Sequence, residues 1–313
     1  MAKINFLKAY YIKLGRGNIW AEDSINNNKI RIGWKNQTID DIKNANWDKI
    51  KEELFSELKN KSTTTRDLNA LKNIVSNDDK IFISFFDSKM YWCKPKKGTI
   101  NSDTISKYIL VDGKWNCTDI TGMTTFYINQ ISGKLSKYQG FRATCCIVGN
   151  QYDENNYLKR LINNEESDEY LLMIKHKNSL REILEKQIQQ LHPKDFEILI
   201  DLIFRQAGWK RHSVLGETME FFDLILEEVI SNSLYGVQVK TKSSKNEFIK
   251  YSKEFNEKYS TKFNKFLFIV HTPDLSYTKY QNDFDNVELW NTKKLPELTI
   301  ELGLLNWILK IIR

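Results

Sequence analysis

Three polar residues stand inside apolar sequence between positions 223 and 240. Asp223 opens the run DLILEEV, and Gln238 and Lys240 alternate with Val237 and Val239 in LYGVQVKT. In an extended strand every second side chain lies on one face, so Gln238 and Lys240 point one way and the valines the other, into packing. A hairpin through the turn-like Ser231-Asn232-Ser233 brings Asp223 back beside that pair. Carboxylate and amide oxygens are hard donors that suit Mg2+, or Mn2+ in its place, which makes Asp223 and Gln238 candidate metal ligands. A lysine beside them can position an attacking water and stabilise developing negative charge. The chemistry this set could perform is metal-assisted hydrolysis of a phosphodiester. The spacing is loose, however, and the wet face of an ordinary hairpin would read the same way.

The elements that must position these residues are legible around them. HPKDFEILIDLIFRQAGW predicts a helix, with Pro193 in its first turn and Gly208 past its end. A shorter helix is expected over 179–190, capped by Asn178 or Ser179. FFDLILEEV and LYGVQVKT read as two strands, NEFIKYSKEFNEKYS as an amphipathic helix, KFLFIVHTP as a buried strand, VELWNT as another, and 293–312 as a closing helix. A strand, a helix and a buried strand in that order can cross over in parallel. His271, in FIVHTP, is expected to be a structural histidine at the end of its strand, and His192 a helix-entry residue. The chain has no G-x-x-x-x-G-K-[ST], no G-x-G-x-x-G and no Ser-His-Asp arrangement.

An aspartate followed by a strand ending in Q-x-K resembles the PD-(D/E)xK nuclease superfamily. More narrowly, DFEILIDLIFRQAGW, then FFDLIL, then VQVK is similar to the catalytic domain of Mrr-type restriction endonucleases, over about residues 190–272. The resemblance implies an α/β/α domain with a mixed sheet. It implies roles for Glu197 as the helix glutamate near the metal, Asp223 as the principal metal ligand, Gln238 at the second ligand position and Lys240 as the catalytic lysine. Gln238 stands where the wider superfamily has Glu or Asp. Met219-Glu220-Phe221-Phe222 replaces a glycine-rich lead-in, and Glu217 or Glu220 could add a carboxylate.

The first half differs in charge. Residues 1–165 hold 26 Lys and Arg against 18 Asp and Glu, while the remainder holds 21 against 22. A basic half joined to a neutral one suggests a polyanion reader attached to another function. AYYIKL (9–14) and KIRIGW (29–34) read as strands, 39–58 as a helix, and a further helix is expected after Thr65 as cap. KIFISFFDSKMYWCKP reads as a hairpin turning near Asp87-Ser88-Lys89, 107–111 as a strand, and 121–133 and 151–163 as helices. YYIKLGRGNIWAED, KIRIGW and KMYWCKP weakly resemble the PUA-like superfamily, particularly its EVE and YTH branches. That resemblance implies a small β-barrel with helices at its side and an aromatic pocket for a modified base. Trp20, Trp34 and Trp92 are the candidates to line it, since aromatics near loop ends among Lys and Arg suit stacking on an extruded base.

The expected architecture is α+β overall. Residues 1–165 form a modified-base recognition domain, 166–178 a linker, and 179–313 a nuclease domain. No apolar run is long enough to suggest a membrane span, and no cleavable leader is apparent. Cys93, Cys117, Cys145 and Cys146 form no C-x-x-C pair, which suggests a reducing cytoplasm and no zinc site. The expected function is a modification-dependent, type IV-like restriction endonuclease acting on double-stranded DNA in phage defence, as a homodimer or transient homo-oligomer. Open alternatives are a restriction endonuclease reading unmodified sequence, a non-catalytic nucleic-acid-binding protein, and an RNA reader.

Overall fold

Alternation of buried and exposed side chains builds two separate sheets, each in its own compact unit, Met1–Asp168 and Glu169–Arg313. The computed structural model describes residues 2–149, 154–212, 221–273 and 284–313.

In the first unit the described elements run β1 (Lys8–Ile12), α1 (Ala21–Asn26), β2 (Lys29–Ile32), α2 (Ile39–Lys43), α3 (Trp47–Leu58), α4 (Lys61–Val75), β3 (Lys80–Phe86), β4 (Lys89–Pro95), β5 (Asn101–Ser102), β6 (Lys107–Asn116), α5 (Gly133–Ser136), β7 (Cys145–Ile147) and α6 (Glu154–Asn163). The strands form a curled half-barrel sheet in the order β2-β6-β4-β3-β1-β7, with β5 beside β6. β1 runs parallel to β3, and the other pairs are antiparallel. One face packs Tyr10, Ile12 and Phe82 against Leu54 of α3 and Leu71 of α4. The other packs Tyr11, Ile83 and Trp92 against Leu158 and Ile162 of α6.

Several expectations are corrected here. The helix expected over 39–58 is two helices, because the Asp41 carboxylate gathers Thr38 Oγ1, Asn46 Nδ2 and Lys49 Nζ at 2.6, 2.9 and 2.7 Å, and Ala45 turns left-handed at φ 55°. α4 starts at Lys61 under an Asn60 cap, so Thr65 lies inside it. Most of 121–133 is not helical. The Asp119 carboxylate accepts from the Thr121 and Met123 amides at 3.0 and 3.1 Å, which competes with helical bonding, and Gly122 turns at φ 75°. The hairpin is found as expected, with Asp87 and Ser88 both left-handed, the pattern of a two-residue primed turn.

The second unit continues α7 (Asp168–Gln189), α8 (Pro193–Gln206), β8 (Lys210–Arg211), β9 (Leu224–Glu228), β10 (Ser233–Ser243), α9 (Lys245–Lys258), β11 (Lys265–Pro273), β12 (Val287–Trp290), α10 (Lys294–Glu301) and α11 (Leu305–Ile311). Residues 168–178, expected as linker, are the first half of α7, so neither Asn178 nor Ser179 caps a helix. The closing helix is interrupted at Gly303, φ 71°. The mixed sheet is ordered β12-β11-β10-β9-β8. β10 and β11 are parallel, joined by α9, whose Ser244 cap accepts from Glu247 N. Val237, Val239, Leu267 and Ile269 pack with α8, while Phe266, Phe268 and Val270 pack with Phe248 and Phe255 of α9. The sheet is thus covered by helices on both faces.

Candidate active site and nucleic-acid interface

Asp223 sits where β9 stops accompanying β10. The ladder ends at Leu224 opposite Val237, and the Asp223 amide makes one more bond to Val237 O at 2.9 Å. Beyond that point the Val239 amide has no β9 partner. The Asp223 carboxylate fills the gap, accepting from Val239 N at 2.7 Å and from Gln238 Nε2. The other edge of β10 stays paired, Gln238 with Phe268 and Lys240 with Val270. The neighbouring residues fix the placement. Phe222 lies over Gly236, where a Cβ would come within 2.2 Å of its ring, so the glycine in β10 makes room for the residue that carries Asp223.

α8 brings Glu197 to the same place. Glu197, Asp201, Arg211, Asp223 and Val239 line a cleft of about 130 Å3. Gln238 is buried, Lys240 half-buried and Glu197 exposed. Lys240 Nζ lies 5.2 Å from the centre of the Tyr251 ring on α9. Burial pushes the Asp223 carboxyl above its ordinary range, opposed by the Val239 amide and the Lys240 charge. Burial and then the Asp223 charge push Glu197 up as well. These two neighbouring carboxylates both favour added positive charge. Sequence reasoning missed Asp201 and Arg211. Asp201 follows Glu197 by one helical turn and holds Arg205 at 2.8 Å and Arg211 at 3.4 Å. The Glu197-x-x-x-Asp201 spacing was the available signal.

No group of three or more His, Cys, Asp or Glu placed to hold a metal occurs among the described residues. The donor set is therefore one carboxylate and one amide, with Glu197 across the cleft. One carboxylate oxygen, Asp223 Oδ1, and the Gln238 carbonyl Oε1 accept no hydrogen bond from the described residues. Two hard oxygens left over beside a raised carboxylate pair fit a divalent cation. Glu217 and Glu220 lie outside the described residues.

His271 is buried under α8, edge-on to Phe196 at 4.6 Å, with Nδ1 2.7 Å from Thr272 Oγ1 and Nε2 without a partner among the described residues. Burial, with Lys242 nearby, pushes it down to about 4 from 6.5. The unfolded chain therefore binds the proton first. His271 contributes stability above pH 6.5, and this is lost as pH falls from 6.5 towards 4. Wild type should lose about 2 kcal/mol more than His271→Gln between pH 7.5 and pH 5. Urea unfolding at both pH values measures this, and equal losses would refute the buried neutral imidazole.

In the first unit Trp20 and Trp34 come together. Both are half-buried, and they line a cavity of about 560 Å3 with Lys13, Arg16, Lys35 and Arg142. The cavity lies within the roughly 300–1,000 Å3 range of small-molecule sites. Glu57 and Asp67 add two acids to its wall. Gly15 backs Trp20: at φ 87° it takes a left-handed turn, and a Cβ there would lie 2.9 Å from two atoms of the indole. Trp34 does not close a strand, because β2 ends at Ile32. It sits in a left-handed turn, φ 59°, secured by buried Lys107, whose Nζ donates to Trp34 O at 2.7 Å and Lys35 O at 3.0 Å. Non-glycine residues in this conformation are uncommon and are kept where the surroundings enforce them. A second cavity of about 550 Å3 shares Trp20, Gly33, Lys35 and Asn36 with the first. Trp92 is a correction. It is 6% exposed, packs in the core, and its indole N–H donates to Thr118 O at 2.9 Å, so it lines neither cavity. The basic residues around the two tryptophans went unnamed in the sequence, although GRGN and GWK carry two of the four, Arg16 and Lys35.

Among the described residues no helix is long and apolar enough to cross a membrane. Comparison of the chain with protein-family models, with curated proteins and with solved structures finds no match.

Proposed function

We infer that this protein is a modification-dependent DNA endonuclease of the type IV-like restriction class, in which the first unit reads a modified base and the second hydrolyses the phosphodiester. The observation that carries the reading is that Asp223 accepts from Gln238 and shares a cleft with Glu197, with the Lys240 charge close enough to act on both carboxylates, which supports the arrangement the Mrr-type resemblance implies. Asp223 and Gln238 would hold Mg2+ or Mn2+, which when bound supplies charge neutralisation at the scissile phosphate and a more acidic water. Lys240 contributes a fixed positive charge towards the phosphate and orients the attacking water. Glu197 is placed to take a proton at its carboxylate, since burial and Asp223 raise its affinity for one.

The Trp20 and Trp34 cavity supports the reader assignment. Its rings offer stacking surfaces for an extruded base, and its four cationic side chains suit the flanking phosphates. Cleavage should require Mg2+ or Mn2+ and stop in excess EDTA. A panel of phage DNAs carrying different base modifications, incubated with each metal and with chelator, measures this. Undiminished cutting in EDTA would refute the metal-dependent mechanism.

A further inference from the structure

We propose that Tyr251 is the positioning residue for Lys240: its ring, fixed by aromatic neighbours on two sides, holds the lysine ammonium in place beside the Asp223 and Gln238 pair. A lysine carries its charge at the end of a flexible four-carbon stem, so a lysine that serves one site must be held there. Among the described residues Lys240 Nζ has no hydrogen bond and no ion pair. What faces it is the Tyr251 ring, 5.2 Å from Nζ to the ring centre. That is inside the roughly 6 Å over which the negative face of an aromatic ring attracts a cation. The role of Tyr251 in cleavage rests on the nuclease reading, whereas its hold on Lys240 is a matter of geometry alone.

The sequence puts the ring there by ordinary helix spacing. α9 follows β10 after the Ser244 cap, and its buried residues are Phe248, Ser252 and Phe255. Tyr251 falls on the same stripe, one turn after Phe248 and one before Phe255, and is half-buried against the sheet. Two rings fix its own. Phe268 on β11 lies 5.6 Å away, and Phe221 lies 5.3 Å away. Both are buried. Phe268 is the register partner of Gln238, and Phe221 stands two residues before Asp223. Tyr251 is therefore held by the two segments that border the candidate metal ligands, and it passes that placement on to Lys240. The Lys240 charge in turn reaches both the Asp223 and Glu197 carboxyl groups. The Tyr251 hydroxyl makes no hydrogen bond among the described residues, so the ring face is the working part.

Two readouts on the full chain test this. The first needs no cutting: in protein labelled with 13C-lysine, the Lys240 Cε–Hε cross-peak should lie upfield in wild type, shielded by the ring, and return to the ordinary lysine position in Tyr251→Leu. The second is single-turnover cleavage in Mg2+ with a melting curve for each variant. Tyr251→Leu should cut roughly 10-fold more slowly, the scale of one cation–π contact, at unchanged affinity for DNA. Tyr251→Phe, which keeps the ring, should recover the rate. Phenylalanines carrying one, two and three ring fluorines at position 251 keep the packing and weaken the negative face, so the rate should fall step by step. On a Lys240→Ala background none of these changes should have a further effect. An unshifted cross-peak in wild type, a rate indifferent to fluorination, or an equal loss on both backgrounds would overturn the proposal and make Tyr251 a packing residue. A wild type that shows the upfield cross-peak but cuts no DNA with Mg2+ or Mn2+ would overturn the nuclease reading, and the role of Tyr251 in cleavage with it.

Discussion

Asp223→Ala and Lys240→Ala should each lower Mg2+-dependent DNA cleavage by at least about 10²-fold while leaving DNA binding largely intact. Asp223 has two tasks. Its carboxylate closes the edge of β10 where β9 ends, and it offers one carboxylate oxygen, Oδ1, that accepts no hydrogen bond from the described residues. Removing it takes away the proposed metal ligand and also unpairs Val239 N, so some loss of stability should accompany the loss of activity. Asp223→Asn separates the two tasks, because it retains an oxygen for Val239 N and removes the charge; it should stay folded and fail to cut. Lys240 makes no hydrogen bond among the described residues that the fold depends on, so Lys240→Ala should melt close to wild type. Binding and melting measured with single-turnover cleavage decide the matter. Near-wild-type cutting by either alanine variant would show that hydrolysis occurs elsewhere.

Trp34→Ala and Trp20→Ala should each remove about 1–3 kcal/mol from binding of duplex carrying the recognised modification, the scale of one base–aromatic stack. Unmodified duplex should be affected much less, because its binding rests on Lys and Arg contacts to phosphate and falls steeply with salt. Both rings are half-buried, so truncation also removes packing, and each variant must be compared with its own melting curve. Trp92→Ala is the control for that effect. Trp92 is a core residue whose indole N–H is satisfied by Thr118 O, so its loss should cost about 3–5 kcal/mol of stability without selectivity for modified DNA. Equal loss on both duplexes from Trp20 and Trp34 would make that cavity a packing feature.

The proximity of Asp223, Gln238 and Lys240 was legible because these residues are local in sequence. Gln238 and Lys240 share a strand face by period alone, and Asp223 needs only one hairpin to reach them. Pro193 and Gly208 announced α8, which carries Glu197. The first unit was harder to read because its pocket is assembled from segments far apart in sequence. Trp20 is backed by Gly15, and Trp34 is held by Lys107 on β6; no periodicity carries that information. Trp92 misled because an aromatic on a hairpin arm looks the same in sequence whether it faces a core or a ligand. Helix breaks at Ala45 and Gly303 follow from side-chain hydrogen bonds and left-handed turns that compete with an otherwise good apolar repeat. The extension of α7 back to Asp168 is not legible because its charged start matches loop composition, although Asp and Glu also suit the first turn of a helix.

The most direct test of the account is digestion of two otherwise identical duplexes, one with the base modification found in the phage-DNA panel and one without, in Mg2+, with Asp223→Asn in parallel. Cutting of the modified duplex alone, and none by the variant, is the expected result. Equal cutting of both duplexes would contradict modified-base recognition, and cutting by Asp223→Asn would contradict the active site.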